Sequence, residues 1–481
     1  MKTRDTSRLA TARRVARAEF VLHVRDGRVR IAAALLLMMG VVSVALGWKH
    51  QADVSRAVSA AQIETQEQFR SQGKRNPHSG AHFGIYAFRP EPGLGFLERG
   101  VDDYIGIAVM VEPHAPSYFR DPPAEDATVL TRFGEWTFAR TLQLLAPLLV
   151  ILLAAPSIAS ERERGTLGLL RAQGVRGMDL MVGKAAGVAL TVLVAVTPAG
   201  LVAWIGSLVI SEAARIDLAR MGLFFVGHAL FLLTILLVAM AISARAQTAQ
   251  RAIVVGIGFW ACVSLAAPRL GVEIARRLYP TPSAFAFEKG IQRETWHGEP
   301  DKWDTAQRSI TKGEMARRGL EREIDLPINV AGMVLQRQED EDAVVFDRHY
   351  DRLHGVLASQ DRVLDVVGIV SPFLAVQSVS MSAAEADAEH NAHFWRATET
   401  YRRRLVGILN AYMTNHTGGN VGYSVLVERE AWSLVPPFSY EAPSVRLAIR
   451  RSLLPLMVLV MWALAAFGAC VVASRRVEKD D

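Results

Sequence analysis

Apolar residues are unevenly placed along the chain. They gather in six blocks: Ile31–Trp48, Phe138–Ala159, Ala185–Ile210, Gly222–Ile242, Ala252–Ala267 and Ser452–Ala473. Apart from Arg140 near the start of the second, none of these blocks holds Asp, Glu, Lys or Arg. A helix rises about 1.5 Å per residue, so 18 residues cover about 27 Å, close to the hydrocarbon thickness of a bilayer. Each block therefore predicts a membrane-spanning helix. The fifth, at 16 residues, is the shortest and needs Pro268 or its flanks to complete the span.

The polar stretches carry a directional signal. Lys2, Arg4, Arg8, Arg13, Arg14, Arg17, Arg25, Arg28 and Arg30 precede the first block. Arg162, Arg164, Arg171, Arg176 and Lys184 follow the second, Arg245 and Arg251 the fourth, and Arg475, Arg476 and Lys479 the last. The connection between blocks three and four has Arg215 and Arg220, offset by Glu212 and Asp217. The positive-inside rule then places both termini and segment 160–184 in the cytoplasm, and segments 49–137 and 268–451 outside it. Leu9, Ala12, Ala16 and Phe20 recur at helical spacing with Arg13, Arg14 and Arg17 off that stripe, which predicts a helix over residues 1–30 lying on the inner membrane surface, the alternative being an ordinary basic flank that satisfies the positive-inside rule. A signal peptide does not fit: the basic stretch is too long, and Val58-Ser59-Ala60 lies too far beyond the apolar run.

The two long insertions make up more than half of the chain and contain no cysteine, since Cys262 and Cys470 both fall in apolar blocks. No disulfide framework or Cys-based zinc site holds them. Their pattern is mostly helical with Pro-marked breaks, so the fold class is an all-α integral membrane protein with six spans and a composite, mostly helical extracytoplasmic domain. A short apolar run, 363–376, is too short to span and begins with Asp361, Arg362 and Asp365. It predicts a core helix of that domain, or one at its membrane interface, rather than a re-entrant segment. The chain is 51% hydrophobic, 21% charged and of net charge +6, with part of the excess in the N-terminal stretch. That balance does not point to nucleic acid.

Chemistry is sparse. Residues Gly177–Ala185 superficially resemble a phosphate loop, but five residues separate Gly177 from Gly183, and Ala185 stands where Ser or Thr would ligate magnesium. His78 and His82, His390 and His393, and His349 and His354 are close pairs; His390, with Asp387 and Glu389 nearby, is the better metal candidate. Solvated or structural histidines account for all three pairs equally well, and no metal, cofactor or catalytic residue is expected.

The stretch after the second block is the most informative. Ser160 and Glu163 have capping-box spacing, which predicts a helix start; Gly165-Thr166 permits a sharp turn; Leu167, Leu169 and Leu170 are apolar on a short charged loop. Such a patch marks a docking site, the alternative being a hairpin that hugs the membrane. The stretch resembles the ABC-2 family of transporter permeases, where a run like E-R-E-x-G-T-L-x-x-L-L follows the second span and G-K precedes the third. The matching positions are Glu161, Arg162, Glu163, Gly165, Thr166, Leu167, Leu170, Gly183 and Lys184, while Arg171-Ala172-Gln173-Gly174 stands where that family commonly has Pro. The long insertions, with Asn76-Pro77-His78-Ser79, resemble a bacterial subgroup with a large extracytoplasmic region.

The resemblance implies a permease subunit in a bacterial inner membrane, mostly of the exporting kind, with no ATPase of its own. It implies a separate ABC ATPase subunit, a second permease subunit (identical or paralogous) and an unidentified substrate. Glu161, Arg162, Glu163, Arg164, Gly165, Thr166, Leu167, Leu169, Leu170 and Lys184 would form the ATPase-coupling site, with Glu161 and Glu163 in charged contacts to the ATPase and the leucines in its groove. The alternative is a membrane-anchored ectodomain that scaffolds a partner without transport; an adjacent ATPase gene separates the two.

Overall fold

A computed structural model describes residues 2–116, 119–120, 136–210, 218–296, 299–416 and 418–478. Arg215, Glu212 and Asp217 of the third connection, and Lys479, lie outside the described residues. Helix α1 (Lys2–Arg25) and helix α2 (Gly27–Arg70) are separated at Asp26, whose carboxylate accepts from the Arg28 N–H at 2.8 Å and caps α2. The 44 residues of α2 extend about 66 Å. Its first half is the first apolar block. It then continues as a polar stalk, because no Gly or Pro occurs between Gly47 and Gly73 to end it.

Next come α3 (Pro77–Ala81) and three short antiparallel strands in the order β1 (Ile85–Phe88), β2 (Ala108–Val111), β3 (Phe119–Arg120), with Ile85 opposite Val111 and Ala108 opposite Arg120. Helices α4 (Phe138–Glu163), α5 (Thr166–Ala172), α6 (Gly177–Ile210), α7 (Leu218–Arg245) and α8 (Ala249–Leu278) follow. The second insertion supplies α9 (Ala284–Glu294), α10 (Lys302–Arg318), α11 (Val330–Gly368), α12 (Pro372–Ala383), α13 (Ala388–Asn415) and α14 (Arg429–Ser433). Helix α15 (Val445–Val477) closes the described chain.

Among the described residues, six helices, α2, α4, α6, α7, α8 and α15, are long and apolar enough to cross a membrane and one small sheet is present; the chain is an all-α membrane protein. The short fifth block lies within α8, which passes Pro268 through a π-helical turn at Cys262–Ala266 and runs on to Leu278. Helix α4 is the most enclosed of the six. Its Leu149, Ile151 and Ile158 share a core with Phe231 and Ile235 of α7 and Leu459 of α15.

The arginine-rich segments collect at one end of this bundle: α1 lies along α6, and Gly177 at the start of α6 donates to the Glu478 carboxylate at 3.2 Å. Both insertions meet at the other end in a shared head. Arg75 pairs with Val427 in an isolated bridge, and Phe69 of α2 meets Trp432 of α14 edge to face. The sheet residues Ala87 and Val109 share a core with Leu405 and Leu409 of α13.

The apolar run 363–376 departs from expectation. It is split between the end of α11 and the start of α12, joined by a turn at residues 369–371. The Ser371 hydroxyl donates to the Val263 carbonyl at 2.6 Å, and the Trp462 indole donates to the Ile369 carbonyl at 2.8 Å. Val263 and Trp462 lie mid-way along α8 and α15, so the turn rests against the mid-length of both helices. Phe373, Ala375 and Val376 belong to the bundle core rather than to the head. The run is thus a helical hairpin set against α8 and α15: α15 meets the Ile369 carbonyl, and the Ser371 hydroxyl meets a backbone carbonyl of α8.

Candidate coupling site

Helix α4 does not stop at Ser160. It continues to Glu163, and the Ser160 hydroxyl donates back to the Pro156 carbonyl at 2.7 Å, so the capping-box spacing does not start a helix here. The reversal comes at Gly165, whose φ of 72° lies in the left-handed region that favours glycine. Helix α5 then runs across the end of the bundle. Leu167 is buried and Leu170 half-buried, while Leu169 is 66% exposed; Arg164, Gly165 and Gly168 are also at the surface.

Lys184, in the second turn of α6, is the centre of the arrangement. The residue is 4% exposed, and its ammonium lies 2.8 Å from a Glu19 oxygen of α1 and 3.2 Å from a Glu161 oxygen of α4. The Thr166 hydroxyl donates to the same Glu161 carboxylate. His23 lies 3.7 Å from the other Glu19 oxygen and contacts the Thr191 hydroxyl of α6 at 3.0 Å. Close approach is possible because Gly183 and Gly187 face α1: a Cβ on either would come within 2.8 Å of Val15 or Ala12, and of Glu19 or Ala16, respectively. The packed face of α1 is therefore Ala12, Val15, Ala16 and Glu19, a rotation away from the expected stripe, and Leu9 is 74% exposed. The stretch 177–185 is helical throughout, not a loop.

The two residues after Glu161 act on other helix ends. The Arg162 guanidinium donates to the Ala246 and Ala244 carbonyls at 2.6 and 2.8 Å, meeting orphan acceptors at the end of α7. Glu163 accepts the Ala249 N–H at 3.0 Å, an orphan donor at the start of α8. The Glu161-Arg162-Glu163 run thus fastens α6, α7 and α8 to the end of α4. Of the predicted site residues, Glu161, Arg162, Glu163, Thr166, Leu167 and Lys184 converge on contacts inside the chain. Arg164, Leu169, Leu170 and the Gly165 turn form the outward ledge. Glu19 was not singled out from sequence, since it lies on a basic helix and meets Lys184 across 165 positions.

Deeper in the bundle, His228 of α7 is buried, 2.8 Å from the Phe224 carbonyl and 3.3 Å from the Gln143 amide of α4. It sits in the wall of an apolar groove of about 530 Å³ between α6 and α7, lined by Leu193, Leu201, Trp204, Phe225 and Leu232.

In the head, His390 is not placed as a metal ligand. Asp387 caps α13 by accepting the His390 N–H at 2.9 Å, and its carboxylate lies 2.7 Å from the His390 ring and accepts from Ser382. Burial alone would raise the Asp387 pKa, but these bonds outweigh it and hold the group at about 2. His393 meets the Tyr440 hydroxyl, and His349 meets Glu294.

Residues 13–318 match the family model described as ABC-2 family transporter protein. The chain belongs to the ABC-2 transporter family. Residues 285–441, most of the second insertion, match a domain of unknown function, DUF3526. No curated protein and no solved structure matches. The chain is thus a multi-pass ABC-2 permease, a transport component rather than a catalytic one.

Lys184→Met in this permease would leave two carboxylates together at the bundle end without their cation. Breaking a buried ion pair costs about 3–5 kcal/mol. The variant should unfold at lower temperature in detergent, and trypsin should cut α1 faster. Adding Glu19→Gln should recover part of the loss. Unchanged stability and cleavage would show that Lys184 does not hold α1.

Proposed function

We propose that this ABC-2 permease is one half of a transport path in a bacterial inner membrane, driven by a separate ATPase subunit that docks on α5, with a second permease subunit completing the path. The observation that carries the reading is the mechanical state of α5: a ledge with Leu169 facing outward, set on a clamp that joins α4 to α1, α6, α7 and α8. A push on the ledge is transmitted to four helices of the bundle at once. The leucine edge, with Arg164 beside it, has the form of an apolar anchor with a charged rim. The carboxylates of Glu161 and Glu163 transmit the push instead of meeting the ATPase directly.

The collection of arginine-rich segments at one end of the bundle supports cytoplasmic termini and a cytoplasmic α5, with the shared head outside. The family leans to export, and a head assembled from both insertions stands where cargo would leave. A scaffold without transport would not need the ledge and clamp.

Two measurements test this. Leu169→Glu should abolish co-purification of the ATPase when the whole operon is expressed, a loss of roughly 2 kcal/mol or more, while the unfolding temperature of the permease stays as in wild type. Retained ATPase binding and transport would remove α5 as the docking site. In cysteine-free protein, Pro300→Cys should react with an impermeant reagent before the inner membrane is permeabilised. Labelling only afterwards would invert the topology.

A further inference from the structure

The head brings together three histidines, of which sequence spacing paired only His78 and His82. Asn76 caps the short helix α3 by accepting the His78 N–H at 2.9 Å, and its amide donates to the Tyr423 carbonyl at 3.1 Å. This fixes His78, and His82, one turn later, falls on the same face. His114 follows β2 and has a φ of 71°, a left-handed conformation uncommon for a residue with a side chain. The Nε2 atom of His78 lies 3.2 Å from Nε2 of His82 and 3.2 Å from Nε2 of His114.

A rigid outer contact orients the third ring. His114 Nδ1 lies 3.1 Å from Glu339 Oε1, and the His114 backbone N–H donates to the same oxygen at 2.7 Å. The other Glu339 oxygen accepts from the buried Arg402 guanidinium at 2.7 Å. A carboxylate on the Nδ1 side keeps the ring proton there, so His114 Nε2 presents a lone pair toward His78. Three ring nitrogens thus converge on one point, and a cation there satisfies all three. Tetrahedral metal–imidazole bonds of 2.0–2.1 Å put the ligand nitrogens about 3.3 Å apart, close to the spacing found. All candidate ligand atoms lie within 4.8 Å of one another.

We propose that His78, His82 and His114 form a site for a divalent first-row transition ion, Zn²⁺ in the first instance, with Glu339 as the positioning carboxylate. Three imidazoles with no thiolate suit Zn²⁺ and its neighbours rather than Mg²⁺ or Ca²⁺. His82 is exposed, so the fourth position opens to solvent and the ion can exchange. The three ligands come from the first insertion, and Glu339 and Arg402 from α11 and α13 of the second. A bound ion therefore ties the two halves of the head. This inference does not depend on the transport reading.

The test uses the untagged full-length protein in detergent, stripped with chelator and titrated with Zn²⁺. Wild type should bind one equivalent per chain with a raised unfolding temperature, as a ligand of the folded state must give. His82→Gln, an exposed change, should keep the unfolding temperature of the metal-free protein but lose that equivalent and the zinc-dependent rise. Glu339→Gln should weaken binding by about 10–100-fold. Absence of a saturable equivalent in wild type, or equal binding by wild type and the His78→Gln/His82→Gln double variant, would overturn the proposal.

Discussion

One buried cation organises the end of the bundle where the arginines collect. Lys184 touches carboxylates from two other helices, and neither contact is local in sequence. An ammonium withdrawn from water persists only where partners replace its hydration. The position of Lys184 therefore dictates that α1 lie along α6 and that α4 end beside both. The glycines at 183 and 187 and the Thr166 hydroxyl serve the same requirement. Arg162 and Glu163 extend it to α7 and α8 through the backbone groups that helix ends leave unpaired. The outward ledge of α5 inherits its rigidity from this cluster.

The opposite end depends on the seam between two insertions that are far apart in the chain. Aromatic and aliphatic packing of Phe69, Trp432, Leu405 and Leu409 supplies most of it, and buried charge groups such as Arg402 with Glu339 and Glu399 fix its alignment. The hairpin of α11 and α12 links this head to the bundle. A displacement of α7 or α15 therefore has a direct path into the head.

The sequence makes the bundle legible because hydropathy reports burial over a length that no soluble element needs. It also points to the Gly165 turn and the leucines of α5. The contacts of Glu161 and Glu163 within the chain are not legible, since a charged residue on a loop reads alike whether it faces a partner or a helix end of its own chain. The run 363–376 differs for a related reason: a short apolar stretch has the same pattern in a helix of the head core and in a hairpin packed into the bundle, and Ser371 and Trp462 tell them apart only in three dimensions. Among the histidines, acidic neighbours favour His390, but one of them, Asp387, is its capping partner. His114 carries no spacing signal, because it joins His78 and His82 through the turn after β2.

The claim that α1, α4, α5 and α6 form one rigid unit around Lys184 is open to a single distance measurement. With Cys262 and Cys470 replaced by serine, spin labels at positions 9 and 169, both well exposed, report on α1 and α5 by pulsed electron resonance. The account predicts one narrow distance distribution in protein that retains Lys184, and a broad one when Lys184 is methionine. A broad distribution with Lys184 present, or one indifferent to its loss, would contradict it.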